Sequence, residues 1–374
     1  MRSLLIVLLF PALLHAQQLP VPQAPSIAAK SYLLADFSSK QVLVGQNVNE
    51  RIEPASLTKL MTAYLTFAAL KQKQITLNQT LPVSTRAWKA EGSRMFIEPN
   101  RPVTVDELMH GMIVQSGNDA CIALAEGIAG GEEVFAQMMN REAQRLGMKN
   151  THFMNSTGLP HPQHYSTAYD LSLLAAAVIR DFPEYFPFYS VKEYKYNNIA
   201  QSNRNRLLWS DPYVDGMKTG YTENAGYCLI TTARRSERRL VSVVLGTASD
   251  GVRATESQKL LNYGFQFYDT LHLYKKGQEV TAFPIWKGAE NKVKAGFIDD
   301  VYLSLPKGQA ERVKATMESQ QPLLAPISAG QKIGVVKIRV DGKPVAEYPV
   351  VALENVGLAN ILGRGWDSLR LLLN

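Results

Sequence analysis

The run Pro54-Ala55-Ser56-Leu57-Thr58-Lys59-Leu60-Met61-Thr62-Ala63-Tyr64-Leu65 bears on fold and chemistry at once. Leu57, Leu60, Met61, Tyr64, Leu65 and Ala68 recur at close to 3.6 residues, which predicts a helix opening at Pro54-Ala55-Ser56. Positions three apart share a helix face, so the Ser56 hydroxyl and the Lys59 amine can meet. A serine hydroxyl is a poor nucleophile until a base takes its proton, and lysine serves as that base only when burial or a nearby cation lowers its pKa. Ser-x-x-Lys by itself is a weak signal, with about one chance match in a chain this long. Ser304-Leu305-Pro306-Lys307 is a second match, read as structural because Pro306 denies it a helix interior.

Working outward, Ser31 to Val44 reads as a hairpin turning at Ser38-Ser39-Lys40. Helical periodicity covers 105–112, 120–128, 132–146 and 170–179. Strand alternation returns at 225–232 and 240–247, and a closing helix is predicted over 251–270. Strands at both ends with helices between imply a sheet whose first and last strands are neighbours. After Leu273, short alternating runs with Gly and Pro turns predict a small all-β domain over 274–354, with a hairpin turn at Asp341-Gly342. In the last segment, 355–374, Leu358, Ile361, Leu362, Trp366, Leu369, Leu372 and Leu373 share one helical face opposite Asn360, Arg364, Asp367 and Arg370. Such a helix is too short to span a bilayer and is suited to lie in its interface; the alternative is a helix docked on the β-domain.

Two further motifs complete a set. Ser116-Gly117-Asn118 precedes a predicted helix, so its side chains are presented from a loop or helix start. Lys218-Thr219-Gly220 lies before the strand pair at 225–247. There Lys218 offers a cation and Thr219 a hydroxyl to a substrate carboxylate, and Gly220 leaves room beside a strand edge. Each is weak or moderate alone; the ordered combination on helix, loop and strand is the signature of serine acyl-transfer enzymes of the penicillin-binding and class A β-lactamase type.

Composition narrows the remaining classes. The 374 residues, 46% hydrophobic and 20% charged, supply enough apolar material for two or three domains. The formal charge of +7 contains no dense basic run, so no nucleic-acid partner is expected. Two cysteines, Cys121 and Cys228, exclude a zinc cluster or disulfide framework and read as buried thiols. Six histidines show no metal spacing, so neither metal nor other cofactor is expected. Arg2, the apolar run Leu4–Leu14 and His15-Ala16 read as a signal peptide cleaved after Ala16, which makes residues 1–16 a leader and the mature protein exported.

On Pro54-Ala55-Ser56-Leu57-Thr58-Lys59, Gln115-Ser116-Gly117-Asn118-Asp119-Ala120-Cys121 and Val214-Asp215-Gly216-Met217-Lys218-Thr219-Gly220, the chain resembles the low-molecular-mass penicillin-binding proteins that are D-alanyl-D-alanine carboxypeptidases. The resemblance covers nearly the whole chain. It implies an α/β (α+β) penicillin-recognising, β-lactamase-like domain over 17–273, an antiparallel sheet between helices with an all-α part. The small β-domain and terminal helix match the arrangement of the family's membrane-tethered members, acting outside the cytoplasmic membrane and attached to it peripherally. The implied partners are the peptidoglycan stem peptide ending in D-Ala-D-Ala, β-lactam antibiotics as covalent inhibitors, and a membrane surface.

The roles implied are equally specific. Ser56 attacks the penultimate D-Ala carbonyl, Lys59 is the base with its pKa held down by Lys218, and Ser116 relays the proton to the leaving amine. Asn118 holds the substrate amide, and the backbone N–H groups of Ser56 and Tyr221 form the oxyanion hole. Carboxylate recognition adds Arg204 and Arg253 to Lys218, Thr219 and Gly220. Rival readings are an endopeptidase cutting cross-links, a serine β-lactamase, and a non-catalytic wall-binding module. The lactamase reading finds no convincing Glu-x-x-x-Asn loop between Ser116 and Lys218, since Glu142 and Glu184 are followed four positions later by Leu146 and Phe188, and the idle module would have lost Lys59 or Ser116.

Overall fold

A computed structural model describes residues 23–373; the predicted leader lies outside the described residues. In chain order the first body contains β1 (Ser31–Asp36), β2 (Val42–Gln46), α1 (Lys59–Lys71), β3 (Thr80–Leu81), α2 (Thr85–Trp88) and β4 (Val103–Thr104). There follow α3 (Val105–Val114), α4 (Asn118–Ala129), α5 (Glu132–Arg145), α6 (Ala168–Asp181), β5 (Glu193–Tyr196), β6 (Ile199–Ser202) and α7 (Leu207–Ser210). Strands β7 (Val214–Thr222), β8 (Gly226–Arg235) and β9 (Arg238–Thr247) lead into α8 (Asp250–Phe267).

The central sheet runs β2-β1-β9-β8-β7, antiparallel throughout, so the first and last strands of the body are neighbours. Strand β9 shows why it lies between layers. Val241, Val243 and Leu245 enter a core shared with α1, α3, α4 and α6, whereas Leu240 and Val244 enter one shared with Leu260 and Leu261 of α8. Period-two alternation in an apolar strand feeds both faces at once, and each fully buried aliphatic side chain contributes about 1.5–3 kcal/mol. Strand β7 is the sheet edge, and the turn bearing Ser56 packs against it.

The closing helix stops at Phe267, three residues short of its predicted end, and the chain continues directly as β10 (Tyr268–Tyr274). Residues 268–273 alternate as a strand does, and β13 (Val301–Pro306) supplies the edge they pair with. Between them lie β11 (Thr281–Pro284) and β12 (Lys292–Gly296), and after them β14 (Val313–Ser319), β15 (Lys332–Val340) and β16 (Lys343–Ala352). These close an all-β domain with sheet order β11-β12-β16-β15-β14 around Val293, Leu303, Ile333, Ile338 and Val350. The structural reading of Ser304 agrees with its place: it sits in β13, its hydroxyl 2.7 Å from that of Ser39 and its amide donating to Gln41 Oε1 at 2.6 Å.

Helix α9 (Ile361–Leu373) ends the described chain. Its polar side meets the β-domain, the Asp367 carboxylate accepting from Lys287 N–H at 2.6 Å. Its apolar residues face away: Ile361 is 78%, Leu362 84% and Trp366 62% exposed. Among the described residues no helix is long and apolar enough to cross a membrane.

Candidate active site

A cleft of about 770 Å³ opens between β7, the Ser56 turn, the start of α4 and the loops 91–97 and 202–206. Ser56 stands in its wall, on a 3₁₀ turn (Ala55–Thr58) that runs into α1. With three residues per turn, the 3₁₀ geometry places positions three apart directly over one another, and Lys59 Nζ lies 2.9 Å from Ser56 Oγ. On its other side the amine donates to the Thr157 carbonyl at 2.6 Å. Lys59 is 1% exposed, and burial is the largest cause bringing its pKa down to about 8. Arg204 lowers it further, and Lys59 and Lys218 are close enough for their like charges to repel each other. Cys121, Asp119 and Glu132 act in the opposite direction.

Ser116 precedes α4 with φ of 67°, a conformation costly for a residue with a Cβ. Its hydroxyl accepts from Lys218 Nζ at 2.9 Å. Lys218 also donates to Thr219 O, is 2% exposed and sits behind the cleft wall rather than in it. Burial, then the charges of Lys59 and Arg204, hold its pKa well below the ordinary lysine value. Two lysine–serine pairs therefore converge on one cleft.

Asn118, the first residue of α4, lines the cleft and donates from Nδ2 to Glu91 O at 2.6 Å. Thr219, Gly220 and Tyr221 line it from β7, with the Tyr221 ring 4.4 Å from that of Tyr227. The space at Gly220 serves the turn: a Cβ there would meet Pro54 O at 3.2 Å and Leu57 N at 3.3 Å. Arg204 and Arg253 both line the cleft. Arg253 is 5% exposed and committed, donating to Gly220 O at 3.2 Å and to the Asp250 carboxylate, whereas Arg204 is exposed. Cys121 and Cys228 are buried free thiols, burial pushing the first up to about 12 and the second to about 11.

Several supporting residues carry no motif and were missed by sequence reading. Glu132, 5% exposed, fixes Ser156 next to the Thr157 carbonyl. Asn155 Oδ1 accepts from Thr157 N, Thr157 Oγ1 and Gly158 N, which shapes the same loop. Gly158 has φ of +84°, and a Cβ there would lie 1.9 Å from Ala55 O, so only glycine lets the loop close over the Ser56 turn. Asp119, adjacent to the Ser-x-Asn motif, takes the amides of Met95, Phe96 and Ile97. Apart from the local Asn155 turn, these contacts join residues far apart in the chain and leave no spacing pattern. The Asp170 carboxylate accepts from Asn150 N and Thr151 Oγ1, while Thr167 caps α6.

Residues 18–249 match the family model described as D-alanyl-D-alanine carboxypeptidase, and residues 268–357 match that described as the C-terminal domain of penicillin-binding protein 5. The D-alanyl-D-alanine carboxypeptidase DacC of Escherichia coli K12 is 40% identical over 373 residues, covering 98% of this chain and 93% of that protein. The crystal structure of penicillin-binding protein 5 from Haemophilus influenzae superposes with a TM-score of 0.86 at 41% identity, over 90% of this chain and 99% of that one. Penicillin-binding protein D2 of Listeria monocytogenes in its ampicillin-bound form gives a TM-score of 0.58 at 30% identity, over 65% of this chain and 100% of that one.

Proposed function

The chain belongs to the D-alanyl-D-alanine carboxypeptidase family, and from that premise we propose how its residues divide the work. It is a serine-type carboxypeptidase that removes the terminal D-Ala from peptidoglycan stems. Neutral Lys59 accepts the Ser56 proton as Ser56 Oγ attacks the penultimate D-Ala carbonyl. The oxyanion is received by the backbone N–H groups of Ser56, on its 3₁₀ turn, and Tyr221, on the edge strand. Ser116 passes a proton to the leaving D-Ala amine; Lys218, donating to Ser116 Oγ, leaves that hydroxyl's own hydrogen free to move. Water then cleaves the Ser56 ester, restoring the serine and releasing the shortened stem. The substrate lies along the β7 edge, its amide at Asn118 and its terminal carboxylate at Thr219 and Arg204, with Arg253 holding the Gly220 backbone in place and Lys218 acting through Ser116.

The observation that carries this reading is the convergence of the Ser56–Lys59 and Ser116–Lys218 pairs, each at 2.9 Å, on one cleft. A β-lactam carbonyl presented to Ser56 would acylate it by the same attack, in keeping with the ampicillin-bound relative. The test is D-Ala release from a D-Ala-D-Ala peptide together with covalent penicillin labelling. Ser56→Ala abolishes both and Ser304→Ala neither; the reverse pattern overturns the assignment.

The enzyme works outside the cytoplasm. Residues 1–16 act as leader, 17–273 as the catalytic domain, 274–354 as a spacer, and 355–374 as a peripheral anchor. The outward apolar face of α9 supports the anchor. Truncation after residue 354 removes sedimentation with anionic vesicles while leaving catalysis on soluble peptides; unchanged sedimentation sinks the anchor.

A further inference from the structure

Loop 91–97 contributes Gly92, Ser93, Arg94 and Phe96 to the cleft wall. It is held from several directions. The Asp119 carboxylate, 1% exposed, accepts from Met95 N at 3.0 Å, Phe96 N at 2.8 Å and Ile97 N at 3.3 Å. Asn118 N donates to Ser93 O at 2.7 Å, and Gln201 Nε2 reaches across from β6 to Arg94 O at 3.2 Å. Phe96 is kept at φ of 68°, which a bulky residue adopts only where its surroundings impose it.

What this scaffolding presents is Arg94. Its guanidinium lies over the Phe96 ring, 5.2 Å from the centroid, and makes no hydrogen bond or ion pair among the described residues. Arg206 and Arg253, also in the wall, are both taken by Asp250. Arg204 is uncommitted like Arg94, but the two are not equivalent. The charge of Arg204 is felt by both Lys59 and Lys218, which places it near the reacting atoms and the substrate's terminal carboxylate. Arg94 instead stands on a separate run of the wall, in the loop tied to Asn118 of α4 and Gln201 of β6 rather than in the 202–206 loop that carries Arg204. A guanidinium held in place and left unpaired in a cleft wall is complementary to an anion that the ligand brings.

We propose that Arg94 is the subsite for a second carboxylate of the stem, upstream of the scissile bond. The inference rests on the carboxypeptidase reading and narrows its substrate to stems that carry such a group. Two positions can supply it: the side chain of a carboxylated diamino acid immediately before the D-Ala pair, or the free α-carboxylate of a γ-linked glutamate one residue earlier. The planar guanidinium takes either through two parallel N–H bonds, while the Phe96 face accepts neighbouring methylenes.

The test measures kcat/KM for D-Ala release by the full chain, Arg94→Gln and Arg94→Lys on three peptides. One carries the carboxylated diamino acid and free glutamate, one has lysine in place of the diamino acid, and one has lysine with the glutamate amidated. A charge-assisted hydrogen bond corresponds to about ten-fold or more in binding. Arg94→Gln therefore reduces the preference for the first peptide over the third by about ten-fold, and Arg94→Lys retains part of it. A loss confined to the first peptide assigns the diamino-acid carboxylate; a loss shared by the first and second assigns the glutamate. An equal fall on all three, or an unchanged ratio with release intact, overturns the subsite alone. No release by the unaltered enzyme from any peptide overturns the carboxypeptidase reading and this one with it.

Discussion

Glu132 holds Ser156 twice, accepting from its amide at 3.0 Å and from its hydroxyl at 2.6 Å, one residue before the carbonyl that receives the Lys59 amine. A buried carboxylate thus positions the base through a single peptide unit, and Arg86 reaches it from the surface at 2.6 Å. Removing it in Glu132→Ala strands the Ser156 N–H and hydroxyl in the interior, at a cost of about 1–3 kcal/mol for such an unsatisfied group. The expected result is a lowered thermal midpoint with kcat reduced more than KM is raised. Thermal denaturation beside steady-state kinetics checks it, and an unchanged kcat would remove Glu132 from the positioning of Lys59.

The Lys59 pKa sets the acid limb of acylation. With the amine at about 8, the neutral form that accepts a proton falls about ten-fold per pH unit below that value. The rate of covalent penicillin labelling should therefore climb with pH and level off above about 8. Arg204→Gln withdraws one of the cations that lower Lys59, so the midpoint of the climb should move to higher pH. Stopped-flow acylation across pH reads both; a flat profile through this range excludes Lys59 as the base.

His164 is buried beside the same turn and governs acid stability. Its Nδ1 accepts from Met154 N at 3.4 Å, so Nε2 carries the hydrogen and donates to Thr58 Oγ1 at 2.9 Å. Burial is the main cause bringing its pKa down to about 4 from 6.5. The unfolded chain therefore binds the extra proton first, and stability is retained above pH 6.5 and declines as pH falls toward 4, by roughly 3 kcal/mol at most. His164→Gln should flatten that decline in urea titrations at pH 4.5 and 7; an undiminished slope assigns the acid sensitivity elsewhere.

Two glycines with nearly the same backbone angle should respond differently to alanine. Gly130, at φ of +75°, has nothing within 4 Å of a Cβ, so Gly130→Ala costs only the left-handed conformation, about 1–2 kcal/mol. Gly158→Ala adds the collision with Ala55 O and should displace the Ser56 turn, losing penicillin labelling as well as several degrees of thermal midpoint. Equal behaviour of the two variants would show that the Ser56 turn tolerates displacement.

The motifs were legible because each is short and its spacing matches a local geometry. Ser56 and Lys59 meet through a turn, Ser116 precedes a helix start, and Lys218-Thr219-Gly220 alternates along a strand. The pairing of the first strand with the last followed from strands at both ends of the body. Glu132, Asp119 and Gly158 were not legible, because each acts across the fold on a loop with no periodic signature, and Asn155 shapes a local turn that no motif singled out. That burial outweighs neighbouring cations in lowering Lys59 was not legible for a related reason: desolvation is a property of everything around a group, and a one-dimensional pattern shows only named neighbours.

The look-alike Ser304 has a mechanical consequence. With α8 running into β10 without a spacer, and Ser304 bonded to Ser39 and Gln41 across the seam, the two bodies share a covalent join and a polar clasp. Asp36 extends the clasp, taking Arg238 Nε at 3.0 Å and Thr270 Oγ1 at 2.5 Å. Under the anchoring proposed for α9, the β-domain acts as a strut rather than a tether. On that proposal the cleft is carried at a set standoff from the anchoring surface, and the reach of the enzyme is a length built into the molecule.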